Sequence, residues 1–405
     1  MNQQWSRWER EYVLLGLRID KVSPGFVDAY FGPPAWSATV AAEPVVPPAD
    51  LVRSAIALSD ALPAQGFPPR RAAYLARQLQ ALETTCRRLA GENLSLREEV
   101  QRCFELNPER VPEDWFEATL AQFDEALPGK GSLSDRRAAW EARHEVGPEK
   151  AAVMPRLMEA TLAEARRRTK AFIDLPEGEA VEVQLVNGQP WSAYSGHLGN
   201  FRSLIQLNTD VPTNLTELMS TVCHEAYPGH HTESAVKEHL LYRGRGWVEH
   251  AILVYNTPQC VISEGIAMLA EDMVFAPGEA QRWLAEHVYP EVGVEAEPVD
   301  ETVIKLIDDL FWASRTNAIF MLHEEGRSTD EAVRYLMSHT QETEQRARRS
   351  LGMLTSPLYR TYLFTYSEGR RLMAPLLRGE NRLDVFRRLL TEQVYPSLLA
   401  EGAWS

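Results

Sequence analysis

The sequence predicts a mainly α-helical fold with one small antiparallel β-sheet set just ahead of a broken, histidine-bearing helix. Three observations carry this. Apolar residues recur with a 3.6-residue period through most of the chain, and strand-like alternation is confined to residues 179–210. A Pro-Gly pair then interrupts a helical pattern within His224-Glu225-Ala226-Tyr227-Pro228-Gly229-His230-His231, which holds three of the chain's ten histidines.

Taken in order, the proline-rich stretches 32–36 and 43–48 read as loops. Residues 73–89, 115–127 and 136–172 read as amphipathic helices rich in Ala, Leu, Arg and Glu. Residues 180–185 and 201–207 alternate as strands do. The run Val211-Pro212-Thr213-Asn214-Leu215-Thr216 offers polar caps for a helix in which Leu218, Val222 and Ala226 follow at four-residue spacing. Proline suits a first helical turn, so Thr257-Pro258 starts another helix, which runs through Asp272. Residues 302–321, 330–337 and 383–394 complete the helical patterns. The expected organisation is a helical region 1–175 followed by a region 176–405 with the sheet and the histidine run, or one continuous domain.

A chain of 405 residues, 44% hydrophobic and 24% charged, can bury a large core. Its formal net charge of -15 argues against nucleic acid or an anionic membrane as partner, because both attract basic patches. No apolar run of the signal-peptide kind stands in the first seven residues, and no later stretch approaches the roughly 20 apolar residues of a membrane span. A cytoplasmic location is therefore expected. Cys86, Cys103, Cys223 and Cys260 form no CxxC pair, so neither a disulfide framework nor a cysteine zinc knuckle is indicated. Neighbouring helical residues face about 100° apart, so Cys223 reads as a buried filler rather than a partner of His224.

The histidine run resembles the HExxH element of zinc peptidases with a misfit: Pro228 stands at i+4 from His224, and the next histidines fall at i+6 and i+7. In an unbroken helix, residues six apart lie about 9 Å apart along the axis and about 240° around it, so His224 and His230 could share no ligand. Looping out Pro228-Gly229 brings His230 to the second ligand position; His231, near the His224 face but about 10 Å up the axis, is the alternate. A carboxylate from another helix would complete the set. Glu264, embedded in an apolar segment, is the expected donor, with Glu271 and Asp272 competing. Two histidines, a carboxylate and one open position form a usual catalytic zinc set, so one Zn2+ per chain is expected, with Glu225 as general base. Tyr359, Tyr362, Tyr366 or a nearby arginine could stabilise an oxyanion. The bland alternative is a polar helix end whose histidines are hydrogen-bonded or solvated.

The run 224–231 and Ser263-Glu264-Gly265-Ile266-Ala267 resemble the HExxPGH and EGWA elements of domain-of-unknown-function family 885, bacterial proteins similar to gluzincin metallopeptidases. Ile266 stands where that family usually has tryptophan. Tyr366-Ser367-Glu368-Gly369 resembles its late YxxG element, while Arg360-Thr361-Tyr362 replaces the usual PGQ. The resemblance covers about 203–370. It implies His224, His230 and Glu264 as metal ligands, Glu225 as base and Tyr366 as oxyanion donor. It also implies a large helical metallopeptidase-like fold, similar to thermostable carboxypeptidase Taq and the thimet oligopeptidase group, with a central cleft walled by region 1–175. Residues 203–207 would pair with substrate as an edge strand, as in those relatives. A peptidase acting on short peptides is expected; hydrolysis of a non-peptide amide or ester, or metal binding without catalysis, are the alternatives.

Overall fold

Helices dominate the computed structural model, which describes residues 5–189, 193–210, 212–295, 299–402 and 404. The first, Arg7–Val22, is fixed at its start by a capping box: Ser6 accepts from the Glu9 amide, and Glu9 accepts from the Ser6 amide. The proline-rich stretches are loops as expected at 32–33 and 43–47, but each runs on into a helix. Pro34 and Pro48 open Pro34–Ala42 and Pro48–Ala61, where a missing amide hydrogen costs nothing. The expected helix 136–172 is divided into Leu133–His144 and Met154–Thr169. Between them Gly147-Pro148 ends the helical path, since proline restricts the residue before it and cannot donate to a preceding turn.

The sheet beside the histidine run has three strands, Ala180–Val186, Ala193–Gly199 and Arg202–Asn208, with the last of these in the middle. It is mixed rather than antiparallel. The second and third strands form a hairpin closed by Asn200 and Phe201, whose φ angles of 55° and 60° match the tight turns that suit strand twist. The hairpin folds its returning strand against Ala180–Val186, two reversals later and therefore parallel to it. Strand 202–208 thus has both edges paired, which corrects the expectation that 203–207 is the edge strand. The two outer strands are Ala180–Val186 and, on the other side, Ala193–Gly199. The sequence of Ala193–Gly199 lacks the strong β-branched alternation of its neighbours, so patterning alone did not find it.

The first histidine lies on Leu218–Glu225, entered through a short 3-10 turn in which Asn214 accepts from the Thr216 amide at 3.1 Å. Val211, named with that cap, lies outside the described residues. The helix buries Leu218, Val222 and Cys223 against Leu157, Met158 and strand residues Ile205 and Leu207, so Cys223 is the filler expected of it. Pro258–Met268 carries Glu264 and ends at Leu269, so Glu271 falls on a separate short helix, Ala270–Val274. The Glu264 helix is shared by two cores. Ile262 and Ile266 join a core with Tyr12, Leu75 and Phe386, residues drawn from both ends of the chain, while Val261 joins another with Ile319, Phe320 and Phe364. Among the described residues no helix is long and apolar enough to cross a membrane.

The Glu264 helix also crosses Phe364–Met373 with almost no gap. A Cβ at Gly369 would sit 2.6 Å from the Val261 carbonyl oxygen, and one at Gly265 would sit 2.8 Å from that of Gly369. Backbone meets backbone there, so no side-chain rotation can make room. Gly369→Ala should therefore push the helices apart and destabilise the protein by about 1–3 kcal/mol, the usual cost of overpacking. Chemical denaturation of the variant beside Gly352→Ala, where an added Cβ meets nothing within 4 Å, checks this; equal midpoints would contradict it.

Candidate metal centre

The break in the histidine run is a corner between two helices. Leu218–Glu225 ends at Ala226, whose φ and ψ of -125° and -85° leave the helical region, and His230–Lys237 begins four residues later. The Tyr227–Pro228 peptide bond is cis. Gly229 is the residue that lets the corner close: its amide donates to the Cys223 carbonyl at 2.9 Å, and a Cβ there would lie 2.0 Å from the His224 carbonyl oxygen. The Thr232 amide reaches back to the Ala226 carbonyl at 3.1 Å and ties the second helix to the first. The rings of His224 and His230 consequently meet edge to face, centroids 4.8 Å apart.

Glu264 completes the group. One ligand atom from each of His224, His230 and Glu264 can be chosen so that all lie within 4.8 Å of one another. The two histidine Nε2 atoms stand 3.4 Å and 3.6 Å from Glu264 Oε2, too long for hydrogen bonds of normal strength. Two ligands bonded to one zinc at about 2.0 to 2.1 Å with tetrahedral angles are roughly 3.3 Å apart. Oε2 is itself buried and without a hydrogen-bond partner, an expensive state for a carboxylate oxygen unless a cation satisfies it. The donor set and its spacing fit a zinc ion.

The electrostatics agree. Burial alone would lower the His230 imidazole, but the Glu264 carboxylate outweighs it and lifts His230 to about 9. Burial would raise Glu264, but His230 and His224 outweigh it and hold it far below the usual carboxylate range. A carboxylate kept charged in this way suits a cation, with which protons on the histidines would compete.

Partners outside the three candidate ligands bear on the orientation of His230 and Glu264. Ser263 donates to Glu233 Oε2 at 2.6 Å, so its oxygen accepts from His230 Nδ1 at 3.1 Å. That places a proton on Nδ1, so Nε2, which faces Glu264, is the nitrogen a metal would take in exchange for its proton. Glu233 is held in turn by Lys237 at 2.6 Å. Tyr362 donates to Glu264 Oε1, leaving Oε2 to the histidines. Neither Ser263 nor Glu233 was found by sequence reasoning, and Tyr362 was weighed only as an oxyanion donor. The available signals were helical spacing: Glu233 three residues after His230, Ser263 beside Glu264, and Tyr362 four residues before Tyr366.

The remaining candidates divide cleanly. Glu225 and Tyr366 line the same cavity as the three ligands, a space of about 620 Å³. Burial raises the Tyr366 hydroxyl well above its ordinary value, so it stays a proton donor. The Tyr366 ring lies between Trp312, stacked at 4.4 Å, and His224, nearly parallel at 6.2 Å. His231 is turned away: Nδ1 contacts Ser203 at 2.8 Å and Nε2 contacts Glu179 at 2.9 Å. At the first turn of its helix it points about 100° from His230, into the sheet. Glu271 neither joins this group nor lines the cavity. Burial and then Asp272 push its carboxyl up to about 8.

No protein-family model matches the chain, and no curated protein matches it by sequence. Among solved structures it is similar to a candidate lipoprotein from Colwellia psychrerythraea, at 15% identity and a TM-score of 0.55, over 97% of this chain and 75% of the other. A candidate lipoprotein of unknown function from Shewanella oneidensis matches at 13% identity and a TM-score of 0.48, over 91% and 76%. An M32 carboxypeptidase from Deinococcus radiodurans R1 matches at 12% and 0.39, over 97% and 90%. The first likeness defines a shared fold.

If Tyr362 and Ser263 orient the ligands, Tyr362→Phe and Ser263→Ala should each lower zinc affinity about 10- to 100-fold while the fold is kept. Competition with a chromophoric chelator measures this, and unchanged affinity in both would remove them from that role.

Proposed function

We propose that the protein is a zinc-dependent hydrolase that cleaves short peptides, with His224, His230 and Glu264 holding the ion. The observation that carries this reading is the buried, unpartnered Glu264 Oε2 facing two histidine Nε2 atoms in a cavity that also receives Glu225 and Tyr366. Two histidines and one carboxylate leave a coordination position open, as catalytic rather than structural zinc sites do. The resemblance to family 885 at 224–231 and 263–267 points the same way.

Zinc bound there supplies an electrophile for a carbonyl oxygen and makes a water acidic enough to lose a proton near neutral pH. The chain's own groups do the rest. Glu225 follows His224 directly and lines the cavity, so it can accept a proton from the attacking water and return it to the leaving amine. Tyr366 makes no hydrogen bond to any described residue, and its hydroxyl can donate to the developing oxyanion. Outer strand Ala193–Gly199 supplies Ala193, Tyr194, Ser195 and His197 to the cavity wall. An extended substrate can run along it through backbone hydrogen bonds, the role expected earlier of the middle strand.

Glu225→Gln keeps the shape of the side chain and removes its basicity. It should retain zinc and lose about 10²- to 10⁴-fold in peptide hydrolysis. Full activity of the zinc-loaded variant on a peptide library would overturn the mechanism, and turnover confined to small amides or esters would move the substrate away from peptides.

A further inference from the structure

The cavity that holds the candidate metal site also contains a carboxylate that the reaction described above does not use. Asp28 lies on Val27–Tyr30, a short strand from the N-terminal part of the chain paired with Ile252–Val254. Its Oδ1 accepts from two tyrosine hydroxyls, Tyr194 at 2.6 Å and Tyr255 at 3.1 Å. Its Oδ2 has no hydrogen bond or ion pair among the described residues, and Asp28 lines the cavity. Burial pushes its carboxyl up, against the two hydroxyls that favour its charged form.

Apart from Glu225, which the proposed reaction uses as its base, the other charged groups around the cavity are already matched. Lys237 is bound to Glu233, His197 Nε2 to Glu238 at 2.8 Å, and Glu264 faces the two histidines. No arginine lines the cavity among the described residues. Apart from the ion at the metal centre, a substrate carboxylate would therefore find no free cation, whereas a substrate ammonium would find Asp28. The two carboxylates, Asp28 and Glu264, are joined by a tyrosine wall: Tyr255 bonds Asp28, Tyr362 bonds Glu264, and their rings pack edge to face with centroids 5.1 Å apart. An extended peptide advances about 3.4 Å per residue, so a cation held at Asp28 lies within a few residues of a carbonyl at the metal centre.

We propose that Asp28 is the recognition site for a substrate ammonium group, so that this cavity takes peptides presenting a positive charge close to the scissile bond. The inference rests on the hydrolase reading for the position of that bond, but ammonium binding is testable apart from it. Asp28, with Tyr194 and Tyr255 orienting its carboxylate, forms a charge-assisted contact with the ammonium in a partly desolvated setting, where such contacts are strong. The free amino terminus of a short peptide and a lysine side chain share this chemistry.

The test uses zinc-loaded Glu225→Gln protein and three tetrapeptides with otherwise uncharged side chains: free amino terminus, N-acetylated, and N-acetylated with one lysine. Affinities are read by calorimetry. The expected result is that at least one ammonium-bearing peptide binds ten-fold or more tightly than the neutral acetylated one. Adding Asp28→Asn should bring them within about two-fold. An advantage for the free amino terminus assigns an exopeptidase-like amino-terminal site, and an advantage for lysine assigns a side-chain pocket; both support the proposal. Equal affinity for all three, a preference that survives Asp28→Asn, or no binding of any peptide overturns it. If Asp28→Asn does not fold, the comparison among the three peptides decides alone. Asp28-dependent amine binding by a protein that hydrolyses no peptide would overturn the peptidase reading and leave this inference standing.

Discussion

The corner at Ala226–Gly229 is the constraint on which the site depends. A continuous helix would send His224 and His230 to separated faces, and no side-chain rotation recovers about 9 Å of axial separation. The corner solves this by starting a second helix at His230, with Gly229 packed so tightly on the Cys223 and His224 carbonyls that any Cβ would collide with them. It also decides which histidine belongs to the centre. With His230 first on the new helix and facing Glu264, His231 is rotated into the sheet, where Glu179 and Ser203 hold it.

The third ligand is fixed by a different means. Glu264 rides on a helix clamped between two hydrophobic cores and pressed backbone to backbone against the helix of Tyr366. The Gly265–Gly369 crossing therefore brings Glu264, its partner Tyr362 and the proposed oxyanion donor Tyr366 to one place with little freedom to drift. A charged carboxylate in such a setting is costly without a cation. The neighbourhood compensates with one tyrosine hydroxyl on Oε1 and two imidazoles at cation-sharing distance from Oε2. Because the outer partners of His230 are also ionic, through Ser263, Glu233 and Lys237, the whole group is a preorganised polar core within an apolar scaffold.

Much of this was legible in the sequence because it rests on local rules. The helical period, the proline at the first turn of the Glu264 helix, the filler role of Cys223 and the need for a break between His224 and His230 all follow from backbone geometry. Where the reading went astray, tertiary contacts decided. Pro34 and Pro48 read as loop formers because proline breaks and starts helices alike, and only packing tells which. The mixed sheet order depends on a returning hairpin strand finding Ala180–Val186, which no pattern within a strand encodes. Gly265 and Gly369 stood in the quoted motifs without a reason, and their reason is a contact 104 positions apart in sequence. Asp28, about 200 residues before the metal helices, left no trace in any local motif.

The central claim is that His224, His230 and Glu264 together hold one zinc ion and that His231 and Glu271 do not. Metal content by plasma emission spectrometry on purified, zinc-reconstituted protein tests it most directly, with each of the five residues replaced in turn. About one zinc per chain should be found in the unaltered protein and in His231→Gln and Glu271→Gln, and well under that in His224→Ala, His230→Ala and Glu264→Ala. Full zinc content in His230→Ala or Glu264→Ala, or no zinc in the unaltered protein, would contradict it.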